Sequence, residues 1–289
     1  MSDMVLPAAT TRPRRPLAIP ALVLFGIAWL VLMLLVAFSA DLISPFPYTA
    51  LDLRNRLAAP IGFGGPWLHP LGTDELGRDV LSRLIVSIRL SLLIAFGATL
   101  IGAFVGTSLG FLAAHFRGWV EHLVLALVDF SASLPFLILA LSVLAFFGNS
   151  LTLFIVLLGF HAWERYARIA RGLAISAGAQ GYAAAVRQLG ASPWRIYGRH
   201  VLPNIASTLI VSMTLAFPEI ILLESGLSFL GLGVQPPATS LGNMVGYGRE
   251  YLTRAPWILL APAFIIVLTT FSVSLIGDWL RDRLDPTLR

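Results

Sequence analysis

From Leu17 to Phe38 the chain carries no charged residue. As a helix rising 1.5 Å per residue, this run is about 33 Å long, enough to cross the ~30 Å hydrocarbon core of a bilayer. Hiding it in water would need a large polar shell. The chain has none: 57% of its residues are hydrophobic and 12% are charged, where ordinary soluble domains carry about a quarter charged. Lipid is therefore the solvent for most of its surface. The run ends in "VAFSA", which has the look of a signal cleavage site. The apolar stretch of a signal peptide spans roughly 7–15 residues, however, so a retained anchor is the better reading. Arg12, Arg14 and Arg15 precede the run and set the N-terminus on the cytoplasmic side.

Five further apolar stretches follow, near Ile88–Ala114, Val120–Phe147 (interrupted at Pro135), Leu151–Trp163, Ile205–Leu223 and Trp257–Ile276. The expected fold is an all-α membrane protein with six transmembrane helices and both termini in the cytoplasm. A cytoplasmic tail covers residues 1–16, the first span 17–40, and an extracytoplasmic loop 41–86, with a second outer loop at Gly231–Ala255. This topology places thirteen arginines inside and seven outside. Asp52, Asp74, Glu75 and Asp79 offset the outer ones, and long loops translocate despite arginine. Gly102, Gly106 and Gly110 recur at four-residue spacing in the second span, a smooth strip for close helix packing.

The formal net charge is +5 and every basic residue other than histidine is arginine. Without lysine the chain cannot form the phosphate-binding loop of P-loop nucleotidases, which needs one to reach the phosphates. Any ATP hydrolysis must belong to another subunit. With no cysteine, disulfides, thiolate metal sites and cysteine nucleophiles are excluded. The arginines cluster at the ends of apolar runs rather than on one soluble face, so nucleic acid is not an expected partner. The five histidines show no metal spacing, and no hydrolase motif occurs. No catalytic residue, metal site or cofactor is expected on this chain.

The stretch "GYAAAVRQLGASPWRIYGRHVLPN", Gly181–Asn204, is a polar island between greasy spans. Tyr182, Val186 and Leu189 share one helical face. Gly190 suits a helix C-terminus, and after Ala191, Ser192 and Pro193 suit the N-cap and first position of another helix. That second helix is expected through Trp194, Ile196 and Tyr197, ending where Pro203 re-enters the membrane. The bend fits a groove in a partner protein better than a flat bilayer surface.

The same stretch resembles the EAA loop of ABC-importer permeases. Ala184-Ala185-Val186 stand at the EAA triplet, Gly190 at its glycine, His200 at the isoleucine, and Leu202-Pro203 close the motif. Ala184 replaces the glutamate and Val186 the last alanine. "HPLGTDELGRDVLSRL" (His69–Leu84), "LSFLGLGVQPP" (Leu227–Pro237) and "GDWLRDRLDP" (Gly277–Pro286) resemble the C-type permease of the dipeptide/oligopeptide/nickel group. The resemblance implies a five-helix type I permease core over residues 87–278, with the first span as an addition and 279–289 as a cytoplasmic tail. It implies a coupling loop at 165–203 that docks on a cytoplasmic ATPase. The implied partners are a second homologous permease, two ATPase subunits that use the ATP, and an extracytoplasmic solute-binding protein. The implied location is the bacterial inner membrane.

Read physically, "GTDELGRDV" is either a capped surface helix or an external contact, "GLGVQPP" a rigid turn, and Asp278, Arg281, Asp282 and Asp285 a solvated face. Charges within spans are costly and usually face protein or water. Asp129 is expected to pair with Arg117 or an arginine of another subunit. Glu164 is expected beside Arg165 and Arg168, and His161 as a neutral, hydrogen-bonded residue. Pro218–Glu219, at an expected kink, is a candidate pathway feature, and Glu224 is expected near the outer turn. The competing function is a self-contained secondary transporter moving protons through Asp129, His161 and Glu219. An intramembrane enzyme lacks the residues it would need.

Overall fold

The computed structural model describes residues 19–178 and 192–284. Among them the regular structure is helical, and the one β-bridge joins Thr73 to Asp79. The first helix, α1, runs over Ala21–Phe38 after Pro20, whose missing N–H costs nothing at a helix start. A one-turn helix, Ala40–Ile43, then leads into a long loop.

Helix α2, Val80–Phe116, has 37 residues and starts two turns before the expected second span. Asp79 is the reason. Its carboxylate accepts from Ser82 N and Ser82 Oγ, both at 2.7 Å, and so satisfies an end group of the helix. At the other end Arg117 and Gly118 take positive φ values of 47° and 55°, which reverses the chain within two residues.

The third expected span is broken. Helices α3 (Gly118–Ser133) and α4 (Phe136–Phe147) meet at 89°. Pro135 has no N–H for the ladder and forces Leu134 into extended backbone, ψ 131°. The fourth is shorter than expected: α5, Leu151–His161, has eleven residues. Ala162 interrupts it before α6, Trp163–Gly178, an amphipathic helix with arginines on one side.

A short helix at Pro193–Arg195 and a π turn at Ile196–Val201 run without a break into α7, Leu202–Phe229. Pro203 therefore does not end the second limb of the elbow. It lies in the first turn of α7, where its lost donor is tolerated. Helices α8 (Leu241–Gly248) and α9 (Trp257–Leu284) complete the chain.

Among the described residues, four helical segments are long and apolar enough to cross a membrane: Ala21–Phe38, Val80–Phe116, Ile196–Phe229 and Trp257–Leu284. Counting the bent α3–α4 pair as one span makes five. The all-helical expectation is met; of the six expected spans, the fourth is too short as α5 alone.

Helix α2 is the central post. Its Ile94, Ala95 and Ala98 pack with Phe154 and Leu158 of α5 and with Ile220 of α7. Helix α1 lies against α9, where Trp29 Nε1 donates to Thr269 Oγ1 at 3.1 Å. Its other face exposes Leu22, Leu24, Phe25 and Leu35, as a lipid-facing helix should.

Candidate functional site

The glycine strip sets how closely the polar helix α6 can approach. A Cβ on Gly102 would come within 2.7 Å of the Gly159 carbonyl oxygen, and one on Gly110 within 2.6 Å of the Ala167 oxygen. Gly106 lies closer still to the Trp163 carbonyl. Backbone meets backbone along three turns, and this contact fixes α5 and α6 against α2.

Held there, α6 presents Arg165, Arg168 and Arg171 at three-residue steps, and each finds a carboxylate on another helix. Arg165 Nη1 lies 3.0 Å from Glu219 Oε2 on α7. Arg168 Nη2 donates to Asp129 Oδ1 of α3 at 3.1 Å. Arg171 Nε donates to Glu121 Oε1 of α3 at 2.7 Å. The result is a staircase of ion pairs descending α6. Asp129 thus pairs with Arg168, not Arg117, because α3 folds back across α6 at that height. Neither the Arg171–Glu121 step nor the staircase was expected, although the three-residue arginine spacing was visible.

His161 joins the top step, with Nε2 at 3.1 Å from Glu219 Oε1. Pro218 is buried inside α7, which continues through it. Glu219 is thus the acceptor of both His161 and Arg165. Glu164 was expected beside the arginines but turns elsewhere. Its Oε2 is buried without a hydrogen-bond partner, and the residue lines a cavity of about 370 Å³ at the α3–α4 break with Ser131, His161 and Trp163.

Glu224 differs in kind from Glu219. It is 0% exposed and caged by hydroxyls. Ser240 Oγ donates to Oε1 at 2.6 Å and Ser228 Oγ at 2.9 Å, while Ser91 Oγ and Ser225 Oγ reach Oε2 at 3.4 and 3.5 Å. Ser91 also accepts from Leu241 N at 3.0 Å. The carboxylate joins α2, α7 and the start of α8 and faces no open route in this conformation. Glu224→Ala is expected to destabilise the protein by about 3 kcal/mol, since it leaves a cavity and several unpaired hydroxyls. Glu224→Gln, which keeps acceptor and volume, should cost about 1 kcal/mol. Thermal unfolding of the purified variants checks both.

"GTDELGRDV" is not a plain surface helix. Asp74, 0% exposed, accepts from Leu76 N and Arg78 N at 2.9 Å, from Arg78 Nε at 2.7 Å, and from Arg83 Nη1. His69 Nδ1 sits 3.0 Å from Asp79. The segment is a buried ionic knot that anchors the loop to α2. "GLGVQPP" is a turn, with a cis bond at Pro236-Pro237.

Tyr182, Ala184, Ala185, Val186, Gly190 and Ala191 of the elbow lie outside the described residues, as do Arg12, Arg14, Arg15 and Asp285. Ser192 occupies the N-cap of the short helix and Pro193 its first position, but the Ser192 side chain makes no capping bond; its carbonyl accepts from Arg195 N and Ile196 N instead. Leu202 and Pro203 open α7.

Residues 106–289 match the family described as the binding-protein-dependent transport system inner membrane component. The chain belongs to this family. It is a multi-pass inner-membrane component, and its staircase, glycine contacts and hydroxyl cage all fall wholly or partly within the matched region. The match to relatives extends further. The chain is 39% identical to a di/tripeptide transport system permease protein of Pseudomonas aeruginosa, over 91% of this chain and 88% of that one. It is 37% identical to an oligopeptide transport system permease protein of Mycobacterium bovis, covering 91% and 90% of the two chains. A glutathione transport system permease protein of Pectobacterium atrosepticum is 33% identical over 90% of this chain and 85% of its own. In fold, the chain is similar to a chain of the MetNI methionine ABC transporter in an inward-facing form, at a TM-score of 0.59 and 21% identity, covering 71% of this chain and 97% of that one.

Proposed function

We propose that this chain is the permease subunit of an ATP-driven, binding-protein-dependent importer of peptides. It forms half of the translocation pathway beside a second homologous permease. The observation that carries the reading is the match to peptide permeases over nine-tenths of the chain, external loop and inner segment included. Two separate ATPase subunits hydrolyse the ATP, and an extracytoplasmic binding protein delivers the peptide. The lysine-free sequence supports that division of labour.

In this reading six spans cross the membrane with both termini in the cytoplasm, α5 and α6 together making the fourth. Residues 41–86 form an extracytoplasmic loop, 87–278 the permease core and 279–289 a cytoplasmic tail; the coupling loop, expected over 165–203, is narrowed to 179–203, because α6 packs along the glycine strip of α2 as part of the fourth span. Tyr182, Ala184, Ala185, Val186, Gly190, Ala191, Ser192, Pro193, Leu202 and Pro203 form the surface that docks on the ATPase. The coupling limb continues rigidly into α7, so movement of the elbow reaches Glu219 along one helix. Glu219, partly exposed, and Asp129, largely exposed, are pathway candidates, whereas Glu224 serves the scaffold.

Gly190→Trp tests the docking surface. Peptide uptake is expected to fall at least about tenfold, a 1.4 kcal/mol loss in coupling, and the ATPase subunits should co-purify less. Normal uptake with a normal complex would contradict the docking assignment.

A further inference from the structure

We propose that Arg165 and Arg281 mark the two ends of a route for the terminal carboxylate of the transported peptide. This rests on reading the chain as a peptide-importing permease. It names what the intramembrane charges recognise.

Depth comes first. His161 lies eleven residues from Ser150 along α5, and Glu219 ten residues from Phe229 along α7. At 1.5 Å per residue these are about 16 and 15 Å. The two outer turns are level, because Asn149 Nδ2 donates to the carbonyls of Leu232 at 2.7 Å and Gly233 at 2.6 Å. The cluster of Glu219, His161 and Arg165 therefore sits near the middle of a ~30 Å hydrocarbon core. Charges at that depth do not face lipid without heavy cost. Yet the Arg165 side chain is 46% exposed and that of Glu219 39%. Their open side must meet water or protein.

A groove of about 420 Å³ adjoins them, with Arg165, Arg281, Thr208, Ser212 and Leu215 in its lining. Arg165 meets Glu219, whereas Arg281 lies one turn beyond Gly277, which packs on Thr214 and Leu215, so the two arginines stand at different heights along α7. Thr208, Ser212, Leu215 and Glu219 follow one another at steps of four, three and four, so they share one face of α7. That face turns from a carboxylate at mid-membrane to hydroxyls toward the cytoplasmic end. Arg281 has no carboxylate within ion-pair reach among the described residues. Arg165 meets Glu219 through Nη1, at 3.0 Å from Oε2. A guanidinium has five N–H donors, so an incoming carboxylate can bind Arg165 beside Glu219 without displacing it.

The geometry describes an anion path. A carboxylate leaving water would be received at mid-membrane by Arg165, passed along the hydroxyls of Thr208 and Ser207, since Ser212 Oγ already donates to the Thr208 carbonyl at 2.8 Å, and met by Arg281 at the cytoplasmic mouth. Glu219, held by His161, orients Arg165 and offsets its charge while the site is empty.

The test uses the complete importer in vesicles containing ATP on the ATPase side. One arm supplies a pooled library of di- to pentapeptides with free C-termini; the other supplies the same library as C-terminal amides. Arg281→Gln and Arg165→Gln are each expected to slow uptake of the free acids about tenfold, the scale of one charge-assisted hydrogen-bonded contact. Amide uptake should hold at the wild-type rate, and Arg281→Lys should restore the acids. The ATPase subunits should remain bound in each variant. Arg165→Gln also removes an ion pair, so exposed Arg281 is the cleaner probe. Equal slowing of acids and amides, or unaltered acid uptake in Arg281→Gln, overturns the proposal. If amides are too slow to measure, failure of Arg281→Lys to rescue the acids overturns it. An Arg281 effect seen only in vesicles with anionic phospholipid, and absent in phosphatidylcholine, also overturns it by assigning the groove to a lipid phosphate. Absence of ATP-driven uptake of either library by the unaltered importer would instead sink the importer reading.

Discussion

Asp74→Ala is expected to destabilise the protein by about 3–5 kcal/mol, the cost of breaking a buried ion pair from one side. Arg83 is 4% exposed, and Asp74 is the carboxylate against it. Removing Asp74 leaves a buried guanidinium unpaired, and two backbone N–H groups, of Leu76 and Arg78, lose their acceptor as well. The loop would come away from the start of α2, where Val80 and Leu84 enter the main core. The midpoint of thermal unfolding should fall by about 10 °C for a chain of this size. The double replacement Asp74→Leu with Arg83→Leu should recover much of the loss, because it removes the orphaned charge along with its partner. Tryptophan fluorescence on heating checks this directly: Trp257 donates to the Thr73 carbonyl at 3.1 Å, so it reports on the knot. Equal damage in the single and double variants would show that the charges themselves matter little.

Gly106→Val is expected to be about as severe, at 3 kcal/mol or more, since overpacking costs typically 1–3 kcal/mol and more where the obstacle is backbone. A Cβ at Gly106 would run into the Trp163 carbonyl, stand 2.7 Å from Tyr166 Cβ and 3.0 Å from Ala167 N. None of these can swing aside as a flexible side chain would. Helix α6 would have to move away from α2, taking all three arginines of the staircase with it. The expected result is a poorly folded membrane fraction, together with loss of uptake in whatever folds. Gly172 is the control: nothing lies within 4 Å of a Cβ built there, so Gly172→Ala should leave stability intact.

These two positions show what could be read from the residues alone and what could not. The glycine strip was legible because small residues at four-residue spacing mean close helix approach whatever the partner is. The break at Pro135 was legible from the missing N–H. The end of α5 was not, because apolar residues run on through Ala162 to Trp163 and no breaker marks the interruption. The start of α2 was placed too late for the opposite reason: charged Asp79 and Arg83 looked like loop, whereas one caps the helix and the other is buried within it.

The charges were legible as costly but not as pairs. Asp129 and Arg168 stand 39 residues apart and Glu219 and His161 58 apart. Which arginine meets which acid depends on how α3 and α7 cross α6, and helical periodicity does not encode that. The Glu224 cage is more hidden still. Its hydroxyls come from α2, from α7 and from the residue that caps α8, so no local pattern announces it.

This chain moves solute only as half of an ATP-driven pathway in the proposed reading. Uptake of labelled peptides by vesicles decides it most directly, comparing this chain alone under an imposed pH gradient with the complete importer supplied with ATP and binding protein. No uptake is expected from the chain alone, and the complete assembly is expected to take up peptide only while both ATP and the binding protein are present. Peptide uptake by this chain alone, driven by the pH gradient without ATP, would contradict it.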